Sequence, residues 1–136
     1  MRGVLVDTGP LYALAIPSDQ YYARAKTEQG QIINERLPVF ALYPVIAESY
    51  SLILRRVSPP IAHRWVNYLL ERVDLLNPTD ADFREAIRLV QHYQDQKISL
   101  FDALLATLAN DLEVALWSFD SHFDTMRAPV WRAAPR

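Results

Sequence analysis

"GVLVDTGPLYAL", residues 3–14, decides how the rest of the chain is read. Residues 3–6 (GVLV) form an apolar run without alternation, the pattern of a strand covered on both faces. The run stops at Asp7, and Thr8-Gly9-Pro10 intervene before the apolar pattern resumes. A carboxylate at the end of a buried strand is costly, because without water or a partner it loses its hydration. Two readings of Asp7 follow. It caps a helix beginning near Pro10, an ordinary task for Asp after a strand, or it belongs to a site.

The same strand pattern returns at 38–42 (PVFAL), 73–76 (VDLL) and 114–118 (VALWS), with a candidate fifth strand at 129–131 (PVW). Helical patterns fill the gaps at 18–35, 44–57, 59–72, 79–95 and 100–112, and Ser58-Pro59 and Thr79 are good helix starts. Strands alternating with helices predict an α/β fold, a parallel sheet flanked by helices. With 136 residues and no repeat, linker or low-complexity stretch, residues 1–136 are expected to form a single domain. The ending "RAPVWRAAPR" is basic, and its last few residues are expected to be loosely held.

Bulk composition removes several function classes. No cysteine means no disulfide framework and no thiolate metal site. A net charge of −2 gives no overall attraction to nucleic acid, so such a partner needs a local basic patch. Asp7 and Pro10 interrupt the N-terminus, which reads as no signal peptide, and uncharged runs such as 37–47 fall well short of a membrane span. The expectation is a soluble cytoplasmic protein with no membrane partner.

Most acids, including Asp19, Glu28, Glu35, Glu71, Asp80, Asp82, Glu85, Asp95 and Glu113, sit in stretches that read as solvated. Four do not: Asp7, Glu48 in "PVIAESYSLIL", Asp102 in "ISLFDALLATLA", and Asp120 after "VALWSF". Each has an ordinary structural explanation. Glu48 suits the margin of an apolar helix face, in line with Arg55. Ser99 and Asp102 have capping-box spacing, as do Thr79 and Asp82. Asp102, however, opens an almost uncharged helix, near Ala106 and Ala109, whose small side chains would leave room for an approaching group. Asp120 suits an Asx turn.

Together the four acquire another meaning. In a parallel sheet, ligands collect at the carboxyl ends of the strands. Asp7 and Asp120 end strands there, Asp102 heads the helix before the last of them, and Glu48 lies early in the helix after "PVFAL". Converging carboxylates repel one another and rise in pKa unless a cation relieves them. With oxygen donors alone, no Cys, and no metal-ligand spacing among His63, His92 and His122, the expected ion is Mg²⁺ or Mn²⁺. His122, beside Asp120, reads as a surface residue, with contact to substrate as the alternative.

"LVDTGPLYAL", the Ala47-Glu48 pair, "SLFDALLATLA" and "LWSFDSHFD" resemble, in order and spacing over nearly the whole chain, the PIN-domain family. They are most similar to its small VapC-like branch of toxin–antitoxin ribonucleases. The resemblance implies a three-layer α/β/α sandwich with a mainly parallel sheet of four to five strands. It implies a Mg²⁺- or Mn²⁺-dependent endoribonuclease that attacks in line and leaves a 5′-phosphate, with one or two ions left open. By position, Asp7, Glu48, Asp102 and Asp120 would be the catalytic, metal-binding acids, with Asp124 ranked lower. Ser118 and Thr8 would support them by hydrogen bonding. The toxin role implies a cognate antitoxin, a small DNA-binding protein whose tail fills the acidic groove, and a homodimer.

An acidic site needs its grip on RNA from elsewhere. Arg55 and Arg56 are the first candidates for phosphate contacts, with Arg64, Lys97, Arg127 and Arg132 behind them. Tyr12, Tyr21, Tyr22 and Trp65 suit base stacking or a dimer interface. Other acid-based folds fit less well. A haloacid-dehalogenase-like phosphatase needs an acid where Gly9 stands, and a receiver domain needs a Lys beyond Lys97. Three glycines are too few for a phosphate-cradling loop. The remaining alternatives are a PIN-like module that binds RNA or protein without turnover, and a PIN nuclease of RNA processing.

Overall fold

The computed structural model describes residues 3–133. In chain order the elements are β1 (Val4–Val6), α1 (Thr8–Ala15), α2 (Tyr22–Asn34), β2 (Val39–Leu42), α3 (Tyr43–Arg56), α4 (Pro59–Leu70), β3 (Asp74–Leu76), α5 (Asp80–His92), α6 (Leu100–Leu112), β4 (Ala115–Trp117) and α7 (His122–Thr125). The strands form one sheet in the order β3-β2-β1-β4, and every pairing is parallel. Val4 pairs with Val39 on one side and Ala115 on the other, so β1 is central, and all three of its residues are fully buried. Unbroken apolarity in β1 and β4 is therefore the mark of strands covered on both faces.

Two helices fill each crossover. α1 packs on α2 and α3, and α3 on α4, while α5 packs on α6 and α6 on β4 and α7. The helices thus divide into two groups about the sheet, giving the α/β/α layering. From β1 the chain steps outward to β2 and β3, then returns to the opposite side of β1 for β4. That reversal places a crevice beyond the carboxyl ends of β1 and β4, where parallel sheets bind ligands.

The sequence reading needs correction at several edges. Thr8-Gly9-Pro10 is the first turn of α1 rather than a turn before it; Pro10 is tolerated there because first-turn N–H groups have no intrahelical acceptor. Residues 18–21 are not helical, since the Asp19 carboxylate accepts from the Tyr21 N–H at 2.8 Å and holds a turn. α5 stops at His92, short of residue 95. The segment 129–131 makes a single parallel bridge, Leu116 to Val130, because Pro129 has no N–H to extend the ladder. The expectation of a loose end falls on residues 134–136, outside those described.

Two side chains expected at the surface are buried. Trp65 is 7% exposed and belongs to the core, so it is not available for stacking. Glu28 is 8% exposed, and its carboxylate accepts from Trp117 Nε1 at 3.0 Å and from Arg24 Nε at 3.2 Å. This pins α2 to the end of β4. Trp117→Phe is expected to cost about 1–3 kcal/mol, because it leaves Glu28 Oε1 buried without its donor. Denaturant unfolding measures this, and a change below a few tenths would mean that water replaces the indole.

Candidate active site

Asp7 follows β1 directly and is held in extended backbone geometry (φ −89°, ψ 169°) as the cap of α1. Its N–H continues the pairing with β4 by donating to the Trp117 carbonyl at 2.9 Å. One carboxylate oxygen accepts from the Thr8 N–H at 2.7 Å, and the other from Ser118 Oγ at 2.7 Å. Asp7 therefore caps the helix and also faces the crevice. Burial pushes its pKa up, opposed by the hydrogen bonds from Ser118 and Thr8 and reinforced by the charge of Asp120.

Ser118 joins the two strand ends. Its buried hydroxyl donates to Asp7 and accepts from the Asp120 N–H at 3.0 Å. Asp120 also forms the Asx turn its sequence suits, one oxygen accepting from the His122 N–H at 2.8 Å. Removing the hydroxyl with Ser118→Ala is expected to weaken divalent-ion binding by about 10–100-fold without unfolding the chain. Calorimetric titration checks this; unchanged affinity would mean that Asp7 needs no such support.

The two capping-box sequences behave differently. Thr79 and Asp82 make both reciprocal hydrogen bonds. Ser99 Oγ accepts from the Asp102 N–H at 3.1 Å, but the reciprocal bond from the Ser99 N–H to the Asp102 side chain is missing. That carboxylate lies instead with Asp120 and His122. Its pKa is pushed up to about 6, first by burial and then by Asp7 and Asp120, against smaller opposing contributions from Ser99 and His122. Ala106 and Ala109 are fully buried, so their small side chains serve close packing of α6 rather than access for a ligand.

Glu48 lies in the second turn of α3. Burial and then the Asp7 charge raise its pKa, and its Oε2 is buried with no hydrogen-bond partner among the described residues. Buried acceptors are rarely left unpaired without a reason. Asp7, Glu48 and Asp102 thus have raised pKa values, with the orphaned oxygen on Glu48 among them. One donor atom each of Asp102, Asp120 and His122 lies within 4.8 Å of the others, a cluster that a divalent cation fits while Asp7 and Glu48 stand outside it.

The other predicted residues are spread around this core. Thr8 contributes its N–H to Asp7. Asp124 points elsewhere, with both oxygens engaged by Arg132 at 2.8 and 2.9 Å. Arg56 lines an open cavity of about 570 Å³ with Asp7, Asp120, Tyr12, Tyr21 and Phe119, and its guanidinium lies 5.7 Å from the Tyr12 ring centre. Arg55 and Lys97 are exposed, and Arg64 lines a separate groove with Lys26 and Trp65. Sequence reasoning missed His122. Its Nδ1 lies 3.3 Å from Asp120 Oδ1 and 3.9 Å from Asp102 Oδ2, so a histidine does converge on the acids. The adjacency of Asp120 and His122 in the sequence was the available signal.

The chain matches the family described as PIN domain over residues 4–129. No curated protein matches it by sequence. Among solved structures it is similar to VapC20 of Mycobacterium tuberculosis, described as a Sarcin-Ricin loop cleaving toxin, with a TM-score of 0.83 and 20% identity over 96% of this chain and 100% of the other. VapBC2 of Rickettsia felis, solved with a fragment of promoter DNA, gives a TM-score of 0.73 and 12% identity over 93% and 95% of the two chains. FitAcB of Neisseria gonorrhoeae gives 0.68 and 15% over 95% and 96%.

Proposed function

Since the chain belongs to the PIN-domain family, we propose that it is a divalent-metal-dependent endoribonuclease and the toxin of a toxin–antitoxin pair. The observation that carries this reading is the gathering of Asp7, Glu48, Asp102 and Asp120 at one sheet edge: the first three have raised pKa values, and Glu48 among them also has an unpaired buried oxygen. Those four acids would hold Mg²⁺ or Mn²⁺. The bound ion would supply charge relief for the phosphate and a more acidic water. Ser118 orients Asp7 and Asp120 relative to each other, limiting reorganisation around the reacting phosphodiester. Arg56 brings a cation to the same cavity, placed for a neighbouring phosphate, and Tyr12 and Tyr21 offer ring faces to flanking bases. An in-line attack by water there would leave a 5′-phosphate.

The toxin role is supported by likeness to VapC20, VapBC2 and FitAcB. A protein partner also has a surface to use: a groove of about 530 Å³ lined by Leu11, Leu14, Ile33, Trp65, Tyr68 and Leu69. We propose a cognate antitoxin and a homodimer as its assembly partners. Incubating purified protein with total cellular RNA plus Mg²⁺, Mn²⁺ or chelator tests the activity. Discrete metal-dependent fragments with 5′-phosphate ends are expected. Cleavage that persists in chelator would overturn metal dependence. Activity unaffected by the product of the adjacent gene would favour an RNA-processing nuclease over a toxin.

A further inference from the structure

His122 stands beside the acids in a way the oxygen-only description omits. Its side chain is 41% exposed, yet Nδ1 itself is buried and has no hydrogen-bond partner among the described residues, so the exposure belongs to the rest of the ring. Asp120 Oδ1, 3.3 Å from Nδ1, already receives the His122 backbone N–H at 2.8 Å. The imidazole contact is therefore close but not aligned as a hydrogen bond. Fully buried Phe123 anchors the next position, and the Asx turn fixes the backbone of His122.

Resting on the metal-dependent reading above, we infer that His122 is a nitrogen ligand of the ion held by Asp102 and Asp120, making a mixed donor set that favours Mn²⁺ over Mg²⁺. One atom from each of these residues lies within 4.8 Å of the others. Two donors each about 2.1 Å from one ion stand roughly 3 Å apart when adjacent and roughly 4.2 Å apart when opposite. The separations of 3.3 and 3.9 Å fall in that interval. Imidazole binds first-row transition ions well, whereas Mg²⁺ prefers oxygen and keeps its waters. The contribution of His122 is thus selectivity between ions.

A competing role is that of a counter-ion to the acids, and the two differ in sign. Removing a ligand weakens Mn²⁺ selectively; removing a positive neighbour strengthens both ions or leaves them unchanged. The experiment is calorimetric titration of Mn²⁺ and Mg²⁺ into the full chain and into His122→Ala, with electron spin-echo modulation spectra of the Mn²⁺-loaded proteins. The expected result is a ¹⁴N modulation in the unmodified chain that changes on ¹⁵N-histidine labelling and vanishes in His122→Ala. Mn²⁺ affinity should fall about 10-fold or more in the variant, with Mg²⁺ affinity changed less than about 3-fold. The labelling comparison uses the unmodified chain and does not depend on the variant folding. Mn²⁺ binding without nitrogen modulation, or His122→Ala binding both ions as tightly or more tightly, would overturn the inference and leave the metal-dependent reading standing. No binding of either ion would overturn both.

Discussion

Asp7→Asn is expected to lower RNA cleavage by at least about 10³-fold while the chain stays folded. The substitution is nearly isosteric, and Asn is as good an N-cap as Asp. The amide oxygen can still accept one of the two hydrogen bonds that now come from Thr8 and Ser118. What disappears is an ionisable carboxyl buried at the junction of β1 and β4, which the proposed function assigns to the ion. RNA affinity, which the proposed function assigns to Arg56 and the aromatic walls of the cavity, should change by only a few-fold. Single-turnover cleavage and a fluorescence-anisotropy titration on identically purified proteins separate the two quantities. Turnover within 10-fold of the unmodified chain would sink the catalytic reading. A biological effect that survives in full would favour a binding module.

The second large effect is on stability without metal. Asp7, Glu48 and Asp102 hold their protons to higher pH in the folded chain than in the unfolded one. Their stabilising contribution is complete below the ordinary carboxyl values and is lost as pH rises through the folded values, which for Asp102 means a loss from 3.8 through about 6. In chelator, the unmodified chain should therefore lose stability relative to Asp102→Asn between those limits. After allowance for solvent screening, the difference for this one residue is about 1–2 kcal/mol. Comparing the pair cancels the surface carboxylates such as Asp80 and Glu85, whose ion pairs are common to both. At neutral pH, Mn²⁺ or Mg²⁺ at 100 times its dissociation constant should restore about 2.7 kcal/mol to the unmodified chain. Thermal unfolding across pH, with and without ion, reads all three. A difference between the two proteins that does not vary with pH would show that Asp102 is already relieved by solvent.

The fold was legible where sequence pattern and burial coincide. β1 and β4 announced themselves as apolar runs, because a strand buried on both faces leaves polar residues nowhere to stand. β2 and the edge strand β3, which opens on exposed Asp74, were legible from their short apolar runs alone. α1 was legible only as a helix beginning near Pro10, because eight residues beginning Thr-Gly-Pro carry little helical periodicity and the first three read as a turn. The positions of Asp7, Glu48, Asp102 and Asp120 at one sheet edge followed from strand order and helix direction alone. Glu28 and His122 did not, since their surroundings come from tertiary packing. Glu28 meets Trp117 across 89 positions of sequence, and no local pattern around "ARAKTEQG" hints at an indole. His122 owes its Asp102 neighbour to the packing of α7 on α6. Thr79-Asp82 and Ser99-Asp102 show the limit most directly: identical spacing, and the surroundings decide that one side chain completes a cap while the other joins a site.

The bond from Ser118 to Asp7 spans 111 positions and links the first strand to the last. During synthesis, therefore, α1 to α5 can be outside the ribosome while the acids remain apart. Asp7 meets Ser118 and Asp120 only after β4 has emerged and docked beside β1. An unfinished chain is a blunt one. A nuclease ordered this way is incomplete until β4 docks beside β1, since before then Asp7 has neither its Ser118 donor nor its Asp120 neighbour. Moving β4 to the front of the chain by circular permutation would preserve the finished site and bring Ser118 to Asp7 early, but would leave Asp102, on α6, as the last of the acids to arrive.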